Sequence, residues 1–298
     1  MSLNAIAPLN MQKSGADCPK QGVQAKRVVC RKTVARRKMT ARRDVTMSWL
    51  GCYLATIFSA LLGAFFLGVI AVGASDYNAV FGGGPLAPLA NAYGYLAIIF
   101  GVIVTFSQFY AGHLAPHVTL AAWLDDPARF TLFGILRYVS IFAFELLGFY
   151  LAALYTSFVV GGVPATLGCA EPAAGVGIAA QFLTSLFVKL LVGHTFLLSA
   201  KRYKWGPFGG LAIALEVSAA ILALGPVTGG SYSLWRYLGI AFVQGGACLT
   251  ASTALIEFGT FVVAGVVNYL LATFLFTRAC STMGACDKKA KVHKAKDC

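Results

Sequence analysis

The chain has 298 residues, 58% apolar and only 12% charged, with a mean hydropathy of +0.74 and a formal net charge of +13. The charged share is about half that of a soluble domain, and no interior of this size hides so much apolar surface, which excludes a soluble enzyme. Residues 1–46 carry +9 and residues 278–298 carry +4, while the stretch between holds seven basic and seven acidic residues, so the charge excess belongs to two tails and not to a nucleic-acid surface. The expected partner is a lipid bilayer, crossed several times.

Taken in chain order, residues 1–46 read as a basic, disordered cytoplasmic tail, drawn to anionic lipid at about 1 kcal/mol per basic residue. The first apolar run begins near Ser48, too late and too long for a cleavable leader. Six runs are long enough to span, at about 48–73, 92–111, 132–160, 177–199, 207–226 and 252–277. Two apolar stretches are left over. Residues 77–124 contain no Asp, Glu, Lys or Arg, and residues 226–251 contain only Arg236. Each surplus is too short for a further pair of spans, and each is broken by Gly, Pro, Ser or Thr. Such segments suit re-entrant pieces, whose irregular backbone lines a cavity or lies within protein. Residues 279–298 form a second basic cytoplasmic tail.

Basic residues set the orientation. Arg129 follows the second span, and Lys201, Arg202 and Lys204 follow the fourth, whereas the connections after spans one and three have neither Lys nor Arg. Six spans with both ends inside agree with these positions. Each half reads as two helices, a short irregular motif and a third helix. Three spans per half place the second half upside down, and such inverted repeats put the functional site near the midplane at their interface. The fold class is therefore an all-α membrane protein with six transmembrane helices and two re-entrant half-helices. Eight Cys are scattered without a CxxC pair or a nearby His cluster, so neither a metal nor a cofactor is expected. No nucleophile–base pair and no paired carboxylates suggest an enzyme.

The two motifs are AGHLAPHVTLA (111–121) and GPVTGGSYSLWRYLG (225–239). Together they resemble the two pore loops of the aquaporin, or major intrinsic protein, family, whose first loop runs Gly-x-His-x-Asn-Pro-Ala-Val-Thr and whose second runs Gly-Pro-x-Thr-Gly-x-Ser-x-Asn-Pro-Ala-Arg. His113, Pro116, Val118 and Thr119 fit the first, with Ala111 at the place of its Gly. Gly225, Pro226, Thr228, Gly229, Ser231 and Arg236 fit the second. GAFFLG (63–68) and GPFGGLAIAL (206–215) are also similar to the family, and the resemblance covers about 47–278, read as the channel domain. It implies a homotetramer with a pore in each subunit for water or small neutral solutes such as glycerol, urea or ammonia. It also implies a plasma or vacuolar-type membrane.

Both Asn-Pro-Ala triplets are altered, to Ala115-Pro116-His117 and Ser233-Leu234-Trp235. In the family each Asn turns amide donors toward the pore centre. Ala115 has no donor and Ser233 has one hydroxyl, although the half-helix N-termini still supply free N–H groups and a positive end. His117 reads either as a protonatable gate or as a packing histidine, and Trp235 either as packing between helices or as a plug. The double loss of Asn with this added bulk also fits a second class, a non-conducting structural or adhesion protein on the same fold. By the family's register the narrow filter falls on Arg236, Gly230, Ile221 and Tyr95, with Phe100 the alternative aromatic. A lone Arg at membrane depth is costly and usually functional. Buried charges need partners, and Lys189 is expected to pair with Glu145 or Glu216. In the family a Glu in spans one and four holds loop carbonyls in line; the corresponding places here are Ala60 and Gln181.

Overall fold

In lipid the backbone must satisfy its own hydrogen bonds, so apolar runs of this length become helices. A computed structural model describes residues 50–73, 87–106, 113–162, 175–199, 207–228, 232–246 and 250–294, and all but the first of these residues belong to one compact unit beginning at Gly51. Among them six helices are long and apolar enough to cross a membrane. They are α1 (Leu50–Gly73), α2 (Ala87–Phe106), α4 (Leu132–Val159), α5 (Ile178–Leu197), α6 (Pro207–Thr228) and α8 (Ala251–Lys294). Two ten-residue helices complete the set, α3 (Pro116–Asp125) and α7 (Leu234–Val243), and each starts at one of the altered triplets.

Two boundaries differ from expectation. α2 already begins at Ala87, five residues before the expected start of the second span, and is described to Phe106; residues 107–111 lie outside the described residues. The uncharged stretch 77–124 offered no boundary by which to place it. The last helix continues through the basic tail to Lys294, and its membrane-length apolar part is Ala251–Phe274. Residues 1–46 lie outside the described residues.

Helix pairing follows a two-fold rule. α4 packs on α7 and α8 on α3; α3 also meets α4, as α7 meets α8; α2 packs on α6 across the centre. Exchanging α1 with α5, α2 with α6, α3 with α7 and α4 with α8 maps each of these pairs onto another or onto itself. The α5–α8 pair has its counterpart where α1 crosses α4. With an odd number of spans in each half, this symmetry is that of an inverted repeat.

Small residues set how closely the helices approach, as is usual where lipid is as apolar as the side chains. At the α1–α4 crossing a Cβ on Gly148 would stand 2.6 Å from the Leu61 carbonyl oxygen and 2.7 Å from Ala64 Cβ. Backbone gives way less readily than a flexible side chain. Gly148→Ala is therefore expected to lose about 1–3 kcal/mol through overpacking, read as a lower unfolding temperature in detergent. Gly101 has open space around it, so Gly101→Ala should leave that temperature unchanged. The outer faces are apolar, with Phe58, Phe66, Phe158, Leu183 and Phe274 among the exposed side chains, as a lipid-facing surface requires.

Candidate pore centre

The two half-helices are built alike. Ala115 and Ser233 are extended (φ −145° and −135°), and each precedes a helix without donating or accepting a side-chain cap bond. Pro116 takes the first helical position of α3, where a missing N–H costs nothing. The first N–H groups of each helix have no intrahelical acceptor and carry its positive end. Leu114, just before Ala115, is buried with φ +55°, the left-handed region that a branched side chain seldom enters. The chain pays for this turn with local strain, and the turn starts α3 at this place.

Both N-terminal turns face one cavity of about 80 Å³, room for roughly three waters at liquid density. Ala115, His117 and Val118 contribute from α3, and Ser233 and Arg236 from α7. Apolar side chains make most of the remaining wall, among them Leu67, Ile99, Phe149, Val192 and Ile213. The polar wall residues are His113, Lys189, Tyr95 and Tyr232 together with His117, Ser233 and Arg236. Tyr95 donates to the Ala71 carbonyl at 3.3 Å, and Tyr232 to the Ala220 carbonyl at 3.0 Å. His113 stacks on Tyr138 and meets Phe196 edge-on.

Of the expected filter, Tyr95 and Arg236 share this cavity and are both buried. Ile221 is half-buried against the hydrophobic core, while Ile213 and Val217 present α6 to the cavity. Gly230 lies outside the described residues. Of the two triplets, Ala115, His117 and Ser233 reach the cavity, whereas Pro116, Leu234 and Trp235 are not among its lining residues.

Trp235 points the other way. Its indole N–H donates to Glu145 Oε2 at 3.0 Å, and its ring meets Phe142 edge-on. Glu145 is fully buried on α4 and also accepts from Thr119 Oγ1 at 3.1 Å and from the backbone of Leu114. One carboxylate thus ties the loop before α3, α3 itself and α7 together. The bulk in the second triplet is a hydrogen-bond donor to this brace. Gln181, by contrast, donates to the Val176 carbonyl at the start of its own helix.

The pairing expected for Lys189 is corrected. Its ammonium donates to Glu257 Oε2 at 2.8 Å and to Thr260 Oγ1 at 2.6 Å, both on α8. Asn268 on the same helix donates to the Lys189 carbonyl at 3.1 Å. Glu145 is occupied by the brace, and Glu216 accepts from Thr195, six residues and about 9 Å farther along α5. Lys189 and Glu257 are almost fully buried, at 0% and 3% side-chain exposure. Sequence reasoning named Lys189 but missed it as a cavity residue, and it missed Tyr232 and Phe196 altogether. A cation in an apolar span was the available signal for the first. The aromatics sit among many others and gave none.

Six spans and two short helices whose N-terminal turns line one cavity define a channel-type membrane fold, and the chain is an integral, multi-pass membrane protein. Residues 42–276 match the family described as Major intrinsic protein, and the chain belongs to that family. Its members are channels and not enzymes. Aquaporin NIP3-1 of Zea mays is 29% identical over 193 residues, which cover 62% of this chain and 59% of the maize protein. Aquaporin TIP2-1 of Arabidopsis thaliana is 28% identical over 206 residues, 67% of this chain and 78% of its own length. The chain spans less than two thirds of the maize relative's length.

Proposed function

We propose that the chain forms a passive pore for water and small neutral solutes of the size of glycerol, urea or ammonia. The observation that carries this reading is the single cavity shared by the N-terminal turns of α3 and α7, with Tyr95 and Arg236 on its wall. Two half-helix positive ends and a buried guanidinium repel cations, while the same N–H groups donate to a passing oxygen. The domain that does this is 47–278, with both termini cytoplasmic and four copies per assembly. Gly230 and Ile221 join the filter in this reading, which makes it wider and less polar than one built for water alone.

The rival, a non-conducting protein on the same fold, draws on the loss of both Asn and on bulk at both triplets. Trp235 turned toward Glu145 takes its bulk out of that argument, while the two Asn losses and His117 remain. The test is osmotic: purified protein in liposomes, followed by stopped-flow light scattering against sucrose, glycerol and urea. Shrinkage in sucrose several times faster than in empty liposomes is expected, with reswelling in glycerol or urea. Rates equal to those of empty liposomes in all three would sink the reading. Arg236→Val is expected to widen the path and raise proton leak in a pH-dye assay.

A further inference from the structure

The charged side chains on the cavity wall, Lys189 and Arg236, are both basic. His113, His117, Lys189 and Arg236 face it, with Tyr95 and Tyr232, and no carboxylate is among its lining residues. The acids nearby are engaged elsewhere, Glu257 by Lys189 and Glu145 by Trp235 and Thr119. The positive ends of α3 and α7 face the same space. Independently, His117 is 2% exposed, lines the cavity, and has no partner for either ring nitrogen among the described residues. The Ser233 hydroxyl, also on the wall, is likewise without a partner there. Lys189 spends two of its three N–H donors on Glu257 and Thr260. Buried polar groups are normally satisfied, and a cluster left open on one cavity is what a ligand site looks like before its ligand is bound.

We propose that His117, Lys189, Ser233 and Arg236 form a central binding site for a small monocarboxylate of one to three carbons. The donors and the two helix ends take the carboxylate oxygens, by charge-assisted bonds stronger than neutral ones. The apolar remainder of the wall, including Ile99, Phe149 and Val192, takes the hydrocarbon end. A bare halide leaves that apolar side unused. A divalent oxyanion brings a second charge into a mainly apolar wall, at a high desolvation cost. The proposal depends on the pore reading only for access to the cavity.

The experiment uses the full chain in phosphatidylcholine liposomes and labelled formate near neutral pH, where the acid is almost wholly ionised. A potassium diffusion potential, inside positive, drives the anion. Uptake about tenfold above protein-free liposomes, saturable and competed by acetate, is expected from charge-assisted binding. Lys189→Met with Glu257→Met removes both charges and leaves no buried carboxylate alone; it should cut uptake about tenfold, as should His117→Phe, while Lys189→Arg keeps it within about threefold. Uptake at the protein-free level, in liposomes whose osmotic shrinkage is fast, overturns the proposal and leaves the pore reading standing. So does uptake that ignores the potential and tracks only the small fraction of neutral formic acid. Uptake unchanged by both the double variant and His117→Phe overturns the site. Potential-driven formate uptake that depends on these residues, in liposomes that do not shrink fast, supports the site and fails the water reading.

Discussion

Lys189→Met is expected to be among the most damaging single substitutions in the membrane core, at a cost of about 3–5 kcal/mol. The reason is what it leaves behind. Glu257 is buried on α8, and its partner ammonium sits at 2.8 Å. Removing one charge strands the other, whereas removing both exchanges an ion pair for apolar contact. The Lys189→Met, Glu257→Met double variant should therefore recover most of the loss, since replacing a buried pair by residues of similar volume is often neutral or better. Thermal unfolding in detergent compares the three proteins directly. A double variant no more stable than the single one would show that Lys189 and Glu257 do not act as a pair. The Asn268 bond to the Lys189 carbonyl survives in both variants, so it does not confuse the comparison.

Glu145→Ala carries the second large effect. It strands the Trp235 indole N–H, removes an acceptor for the Leu114 backbone, and leaves the Thr119 hydroxyl only the Ala115 carbonyl at 3.3 Å. Each donor left buried without an acceptor costs about 1–3 kcal/mol, so the total approaches that of the ion pair. The functional consequence is more specific. Both pore loops lose one common brace, and the alignment of α3 with α7 should loosen. Trp235→Phe keeps an aromatic ring beside Phe142 and removes the indole N–H together with part of the ring's bulk. It is expected to cost about 1–2 kcal/mol and to lower osmotic water permeability less than Glu145→Ala does. Equal permeability in all three proteins would show that the brace does not position the pore.

Much of the architecture was written in the chain. Apolar run length gave six spans, and two apolar surpluses broken by Gly, Pro and Ser gave the short helices at Pro116 and Leu234. Boundaries in uncharged sequence were hard to place, because no charge marks an edge between 77 and 124; the second span accordingly begins earlier than expected. The partner of Lys189 was not legible either. Glu145, Glu216 and Glu257 are each a lone carboxylate in an apolar span, and only the packing of α5 on α8 selects among them. Trp235 shows a third kind of limit. Its bulk was plain in sequence, but which side of α7 it occupies depends on a carboxylate 90 residues away.

The most direct test of the central claim is to fill the cavity and watch the flux. Val217 lines it from α6 without making any of the hydrogen bonds described above. Proteoliposomes of the wild type and of Val217→Trp, matched for protein content and oligomeric state, are compared by stopped-flow shrinkage in sucrose. Water passing between the half-helices requires fast shrinkage in the wild type and a rate near that of empty liposomes in the variant. Equally fast shrinkage in both would mean that water takes another route, and the cavity between α3 and α7 would not be the pore.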